Sequence, residues 1–152
     1  MLIGKNITVT INKDETSRTL LDDISITLSP GRITCFLGQS GAGKTTLLNT
    51  LAQLQTYQGT ISVQDTLLEN ISSKEKSELV GIVFQQFNLF PHMSTLQNCI
   101  NPLMHVKGMT KEAATEKAVH SLQTLGIEKL AERFPCQLSG GEQQRAAIAR
   151  AL

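Results

Sequence analysis

The sequence has 152 residues, 40% of them hydrophobic and 18% charged, with a formal net charge of +1. That is one domain's worth of chain with enough length for a core, and its apolar fraction excludes an acidic, solvating disordered segment. A near-neutral charge, 4% aromatic residues and no Trp argue against nucleic acid as a partner, because neither a steering field nor a stacking platform is present.

Residues 2–28 alternate in a strand-like way, with Ile3, Ile7, Val9 and Ile11 on one face and Ile24, Ile26 and Leu28 at period two. Asn12-Lys13-Asp14-Glu15 reads as a polar turn between two strands, and Pro30-Gly31 as a second turn. Ile33–Leu37 is a short apolar run suited to a strand buried on both faces of a parallel sheet. The glycine-rich run 38–46 follows at once. Leu47, Leu48, Leu51 and Leu54 then recur at helical spacing, with Gln58-Gly59 as the stop. Thr60–Val63 predicts a strand, Ser73–Leu79 a short polar helix, and Val80–Phe84 another apolar strand ending at Gln85-Gln86. Ser94 caps a helix running towards Pro102. Thr110 begins a helix to Leu125 that Gly126 stops, and Ser139 opens a last helix containing Ala146, Ala147, Ile148 and Ala149.

Cys35, Cys99 and Cys136 are odd in number, far apart and form no CxxC pair. They read as small core hydrophobes in a reducing cytosol. Met1–Lys5 has no secretory pattern, and no apolar stretch approaches the ~20 residues a bilayer demands. Work at a membrane would therefore need a partner that spans it.

The strongest chemical signal is Gly38-Gln39-Ser40-Gly41-Ala42-Gly43-Lys44-Thr45, the Walker A pattern G-x-x-x-x-G-K-[ST]. Small residues let several backbone N–H groups converge on one hollow, and the following helix adds its positive end. Lys44 supplies a compact charge for β- and γ-phosphate oxygens, and the Thr45 hydroxyl is a Mg²⁺ ligand. Thr46 either touches the α-phosphate or extends the helix N-terminus. The pattern predicts a nucleotide's phosphates with Mg²⁺ and leaves kinases, GTPases and motor ATPases open.

Two further segments narrow the choice among phosphate-loop proteins. In Leu138-Ser139-Gly140-Gly141-Glu142-Gln143-Gln144-Arg145, Ser139-x-x-Glu142 is a capping box, and Gly140 and Gly141 leave the N–H groups of that helix end uncovered for an anion. The segment resembles the signature motif of ATP-binding cassette (ABC) ATPases. Val83–Ser94 resembles the glutamine loop of the same family, with Gln85 as the glutamine near Mg²⁺ and the attacking water, and Gln86 as the rival assignment. Its wording, with Asn101-Pro102-Leu103 following, is similar to the polar amino-acid importers of that family.

The resemblance implies an α/β fold: a P-loop NTPase of the ABC ATPase type with an antiparallel β subdomain and a helical subdomain, truncated before the Walker B strand. It divides the chain into 1–90 (β subdomain plus phosphate-loop core), 91–140 (helical subdomain ending in the signature) and 141–152 (the start of the signature helix, interrupted). It implies a head-to-tail dimer with a second ATPase subunit. Ser139, Gly140, Gly141 and Glu142 would there meet the nucleotide in trans, while Lys44 and Gln85 serve catalysis. Transmembrane permease subunits are the implied partners, with a solute-binding protein acting indirectly, at the cytoplasmic face of the membrane. The implied activity is ATP hydrolysis powering an importer. An efflux or lipoprotein-release ATPase, or a non-hydrolysing remnant, are the alternatives.

Two departures stand out. No aromatic precedes Phe36 to stack on adenine, so Arg18 or Ile11 is expected to cover the base, Arg18 through a cation–π contact. The family's Walker B aspartate, catalytic glutamate and switch histidine all fall after the signature and have no counterpart up to Leu152; His92, His105 and His120 precede it. Residues 1–152 alone are therefore expected to bind nucleotide weakly at best, and to lack the family's general base, a loss of about 10²–10⁴-fold.

Overall fold

The structure is a computed structural model and describes residues 1–13 and 16–152. Asp14 and Glu15 of the expected polar turn lie outside the described residues. The chain forms two compact units, 1–79 and 80–152, where the sequence suggested a division after residue 90.

The first unit is built on an antiparallel sheet of order β2-β1-β3-β4, with β1 Leu2–Lys13, β2 Thr16–Leu28, β3 Gln58–Val63 and β4 Thr66–Leu67. Ile7, Val9, Leu21 and Ile61 are buried on it. The β1–β2 ladder shifts register between Val9↔Leu21 and Thr10↔Thr19, which leaves Leu20 as an extra residue on β2. A bulge of this kind re-aims side chains. Leu21 stays in the core, while Leu20 lines the phosphate-loop cavity beside Arg18. Helix α1 (Lys44–Leu51) follows the loop and is shorter than its leucine spacing suggested, leaving Leu54 outside it. Helix α2 spans Ser73–Leu79, as its composition predicts.

The second unit is helical. Helix α3 (Thr95–His105) starts at a capping box, with Gln97 N–H donating to Ser94 Oγ at 3.2 Å and Ser94 N–H to Gln97 Oε1 at 2.9 Å, and it continues through Pro102. Helix α4 (Lys111–Thr124) is capped by Thr110 and stopped by Gly126, which takes a left-handed φ of 64° as a helix terminator does. Helix α5 (Gly140–Ala151) completes the unit. Cys99, Leu103, Ala114, Ala118, Leu122, Ile127, Leu138, Ala146 and Ala149 form one core.

Three expectations are corrected. Residues 33–37 and 80–84 carry no regular structure. A strand takes its hydrogen bonds from neighbouring strands. Among the described residues neither segment has one beside it, and Ile33 and Leu37 stand 95% and 91% exposed. Ala146 and Ala149 of α5 are buried in one core with residues of α3 and α4. Of the cysteines only Cys99 is a core residue; Cys35 and Cys136 are exposed.

Candidate functional site

The phosphate loop turns on two glycines. Gly41 and Gly43 adopt φ of 82° and 85°, a region L side chains rarely enter. Gly43 is also confined in space. A Cβ there would lie 2.9 Å from Leu21 Cδ2 and 3.2 Å from the Leu20 carbonyl oxygen, whereas one at Gly41 would meet nothing within 4 Å. Strand β2 therefore sets how closely the loop approaches the sheet. Gly43 is the N-cap of α1 and brings no side-chain cap, so the first N–H groups of that helix are left to an anion.

Lys44 folds back over its own loop. Its Nζ donates to the Gly38 carbonyl at 2.8 Å and to the Gln39 carbonyl at 2.7 Å, two of the three donors an ammonium carries. Ala42 N–H donates to the Gln39 carbonyl at 3.2 Å and closes the turn. Ser40, Gly41, Gly43, Lys44, Thr45 and Thr46 line one cavity of about 380 Å³ together with Arg18 and Leu20. Gly38, Gln39 and Ala42 are outside that lining and serve the loop through the backbone bonds just given. Thr45 is exposed on this cavity. Thr46 also lines it, while its backbone carbonyl accepts from Thr50 Oγ1 at 2.8 Å and from Gln55 Nε2 at 3.0 Å.

Arg18 thus joins the phosphate-loop cavity, as its position suggested. Ile11 is its direct cross-strand partner and stands 49% exposed. Residues paired in this way share a face of the sheet. Leu20 was not singled out from the sequence; the register shift that places it on the cavity is set by strand pairing and leaves no sequence signal.

In the second unit Gln85 and Gln86 sit at the tip of a turn closed by Phe87 N–H donating to the Phe84 carbonyl at 3.0 Å. Phe87 and Asn88 follow with left-handed φ of 60° and 48°. At the start of α5 the Glu142 carboxylate accepts from Ser139 N–H and from the Ser139 hydroxyl, both at 2.7 Å. These bonds, backbone first, hold the Glu142 carboxyl below the usual carboxylate range, with Arg133 and Arg145 adding to the effect. Gln143 Nε2 fastens the preceding turn by donating to the Pro135 and Leu138 carbonyls, each at 3.1 Å. A Cβ at Gly140 would meet nothing within 4 Å, and one at Gly141 only Arg145 Nη1 at 3.9 Å. Packing does not demand glycine at either position. What the missing side chains leave is open approach to the helix end.

The profile of the ABC transporter family matches residues 21–152. The chain belongs to the ABC transporter family. The glutamate transport ATP-binding protein GluA of Corynebacterium efficiens is 44% identical over 136 residues, covering 87% of this chain and 56% of its own length. The L-cystine transport system ATP-binding protein TcyN of Escherichia coli is 43% identical over 144 residues, covering 89% and 58%. The arginine transport ATP-binding protein ArtP of Haemophilus influenzae is 42% identical over 144 residues, covering 90% and 59%. This ABC chain thus spans 56% to 59% of the length of these three relatives. Among solved structures, the dimeric MJ0796, a bacterial ABC transporter cassette, superposes with a TM-score of 0.87 at 33% identity, covering all of this chain and 69% of that one. A dimeric post-hydrolysis state of the same cassette, bound to ADP and Pi, gives 0.86 at 33% identity. The family and the ABC ATPase fold class expected from the three motifs are borne out. Among the described residues no helix is long and apolar enough to cross a membrane.

Proposed function

We propose that this chain is the nucleotide-binding part of an ATP-hydrolysing subunit that powers import of polar amino acids. The observation that carries the reading is the phosphate loop: left-handed Gly41 and Gly43, an uncapped helix start, and the Lys44 ammonium fixed over one cavity. The residues fit a nucleotide triphosphate. The loop N–H groups and Lys44 bind and orient the phosphates, and the apolar surface of Leu20 with the Arg18 guanidinium receives the rest of the nucleotide. Thr45 presents a hydroxyl on the same cavity and Gln85 a side-chain oxygen on an exposed turn, the donor types that would hold Mg²⁺. A bound Mg²⁺ would supply charge neutralisation across the β- and γ-phosphates.

Catalysis is then positioning and charge stabilisation by fixed groups. Lys44 stabilises the transferring phosphoryl group, and Gln85 orients water. Ser139, Gly140, Gly141 and Glu142 form the anion-receiving end that a second copy of the subunit offers in trans. The relatives named for glutamate, cystine and arginine transport favour polar amino acids as cargo and a membrane permease as partner, with a solute-binding protein delivering cargo outside. The subunit itself would sit peripherally at the cytoplasmic face. The test is Lys44→Ala in the complete protein and in its host. Hydrolysis and uptake of labelled polar amino acids should fall together. Unchanged uptake with abolished hydrolysis would remove the importer role.

A further inference from the structure

The turn that carries Gln85 is bonded to one helix end on its far side and runs close against it on its near side. After the turn, Arg150 of α5 donates from Nη1 to the Asn88 carbonyl at 2.5 Å and from Nη2 to the Phe87 carbonyl at 2.8 Å. Its guanidinium carbon lies 5.8 Å from the centre of the Phe90 ring, within cation–π range. Before the turn, the backbone at Gly81 runs so close to α5 that a Cβ there would stand 3.2 Å from the Ala151 carbonyl oxygen. The two carbonyls that Arg150 gathers belong to consecutive left-handed residues, Phe87 and Asn88. This backbone shape presents both oxygens to one planar fork. It is an uncommon conformation for side-chain-bearing residues, so the surroundings must hold it.

The other end of α5 is the Ser139–Glu142 segment. Residues 140 and 150 are ten steps apart on one helix, about 15 Å at 1.5 Å per residue. One uninterrupted α-helix, buried along Ala146, Ala147 and Ala149, joins the two ends.

We propose that Arg150 is a positioning residue that ties the Gln85 turn to the anion-receiving end of α5, so that engagement of a nucleotide phosphate at Ser139–Gly141 is felt as a displacement of Gln85. The inference rests on the proposed function and assigns to Arg150 a role that neither the phosphate loop nor the signature residues perform. Arg150 touches no reacting atom. It acts through the Phe87 and Asn88 carbonyls. A lysine at this position keeps the charge but loses the fork that spans two carbonyls.

The test compares Arg150→Gln, Arg150→Lys and Lys44→Ala with the wild type in the complete protein. Two readouts are used: steady-state hydrolysis, and amide hydrogen exchange of residues 84–92 with and without ATP. For Arg150→Gln the expected result is an ATP affinity and KM within about twofold of wild type and a kcat lowered at least tenfold. The slowing of exchange that ATP causes at 84–92 should be lost, with exchange in α3 and α4 unchanged. Arg150→Lys should recover less than half of the lost kcat, and it keeps the inference falsifiable should Arg150→Gln fail to fold. A kcat of either variant within twofold of wild type, or ATP-linked slowing equal to wild type, would overturn the inference. A loss confined to ATP affinity would do the same, because positioning acts after binding. Equal ATP-linked slowing in wild type and Lys44→Ala would strike the proposed function itself, and the inference with it.

Discussion

Asn98 and Phe90 exchange a reciprocal pair of hydrogen bonds. Phe90 N–H donates to Asn98 Oδ1 at 2.7 Å, and Asn98 Nδ2 donates back to the Phe90 carbonyl at 3.1 Å. The same amide also donates to the Met93 and Ser94 carbonyls at 3.1 and 3.0 Å. Asn98 is fully buried, so its side chain replaces water for the backbone that leads from the Gln85 turn into α3. Asn98→Ala leaves those groups unsatisfied and should cost about 2–4 kcal/mol of unfolding free energy. Chemical denaturation checks this, and Asn98→Asp should not rescue it, since a carboxylate keeps the acceptor, loses the donors and buries a charge.

Gly43 and Gly41 separate two effects usually seen together. Both have left-handed φ, but only Gly43 lacks room for a Cβ. Gly41→Ala should cost about 1–2 kcal/mol of backbone strain. Gly43→Ala adds a clash with Leu21 and the Leu20 carbonyl, and should cost more while weakening nucleotide binding at least tenfold. Thermal melts and nucleotide titration of the two variants make the comparison.

The three thiols should react in two classes. Burial pushes the Cys99 thiol up to about 12, partly offset by the nearby Arg150 charge, so it stays protonated at neutral pH. Cys35 and Cys136 are exposed. A thiol reagent at pH 8 should label Cys35 and Cys136 promptly and Cys99 only after denaturant is added.

The start of α5 should respond to acid. The Glu142 carboxyl lies below its ordinary 4.5 because Ser139 donates to it twice. A depressed folded-state value stabilises the helix end above the unfolded value, and that stabilisation is lost as pH falls through the folded one. An NMR titration of the Ser139 amide should therefore show a midpoint below 4.5, and Glu142→Gln should abolish the transition.

The parts of the site legible in the sequence are those with local physics. The Gly38–Thr45 spacing specifies a loop through its own backbone, and the Ser94/Gln97 and Ser139/Glu142 pairs lie three residues apart. Tertiary relationships were not legible. Arg150 meets Phe87 across 63 residues, and no pattern in the helix marks it. Leu20 reaches the cavity because a bulge displaces it, and register follows pairing rather than composition. Residues 33–37 have strand propensity, but propensity describes fitness for a sheet and does not supply a neighbouring strand. Ala146 and Ala149 of α5 are buried in one core with residues of α3 and α4, which only the assembled unit reveals.

The central claim is that this chain holds a nucleotide by its phosphates through Lys44 and the loop N–H groups. Equilibrium titration of the complete protein with ATP, AMP and inorganic triphosphate, in wild type and Lys44→Ala, tests it most directly. The account predicts that ATP and triphosphate bind to wild type and AMP far more weakly, with Lys44→Ala losing at least tenfold for both. ATP binding that is indifferent to Lys44, or as tight for AMP as for ATP, would contradict it.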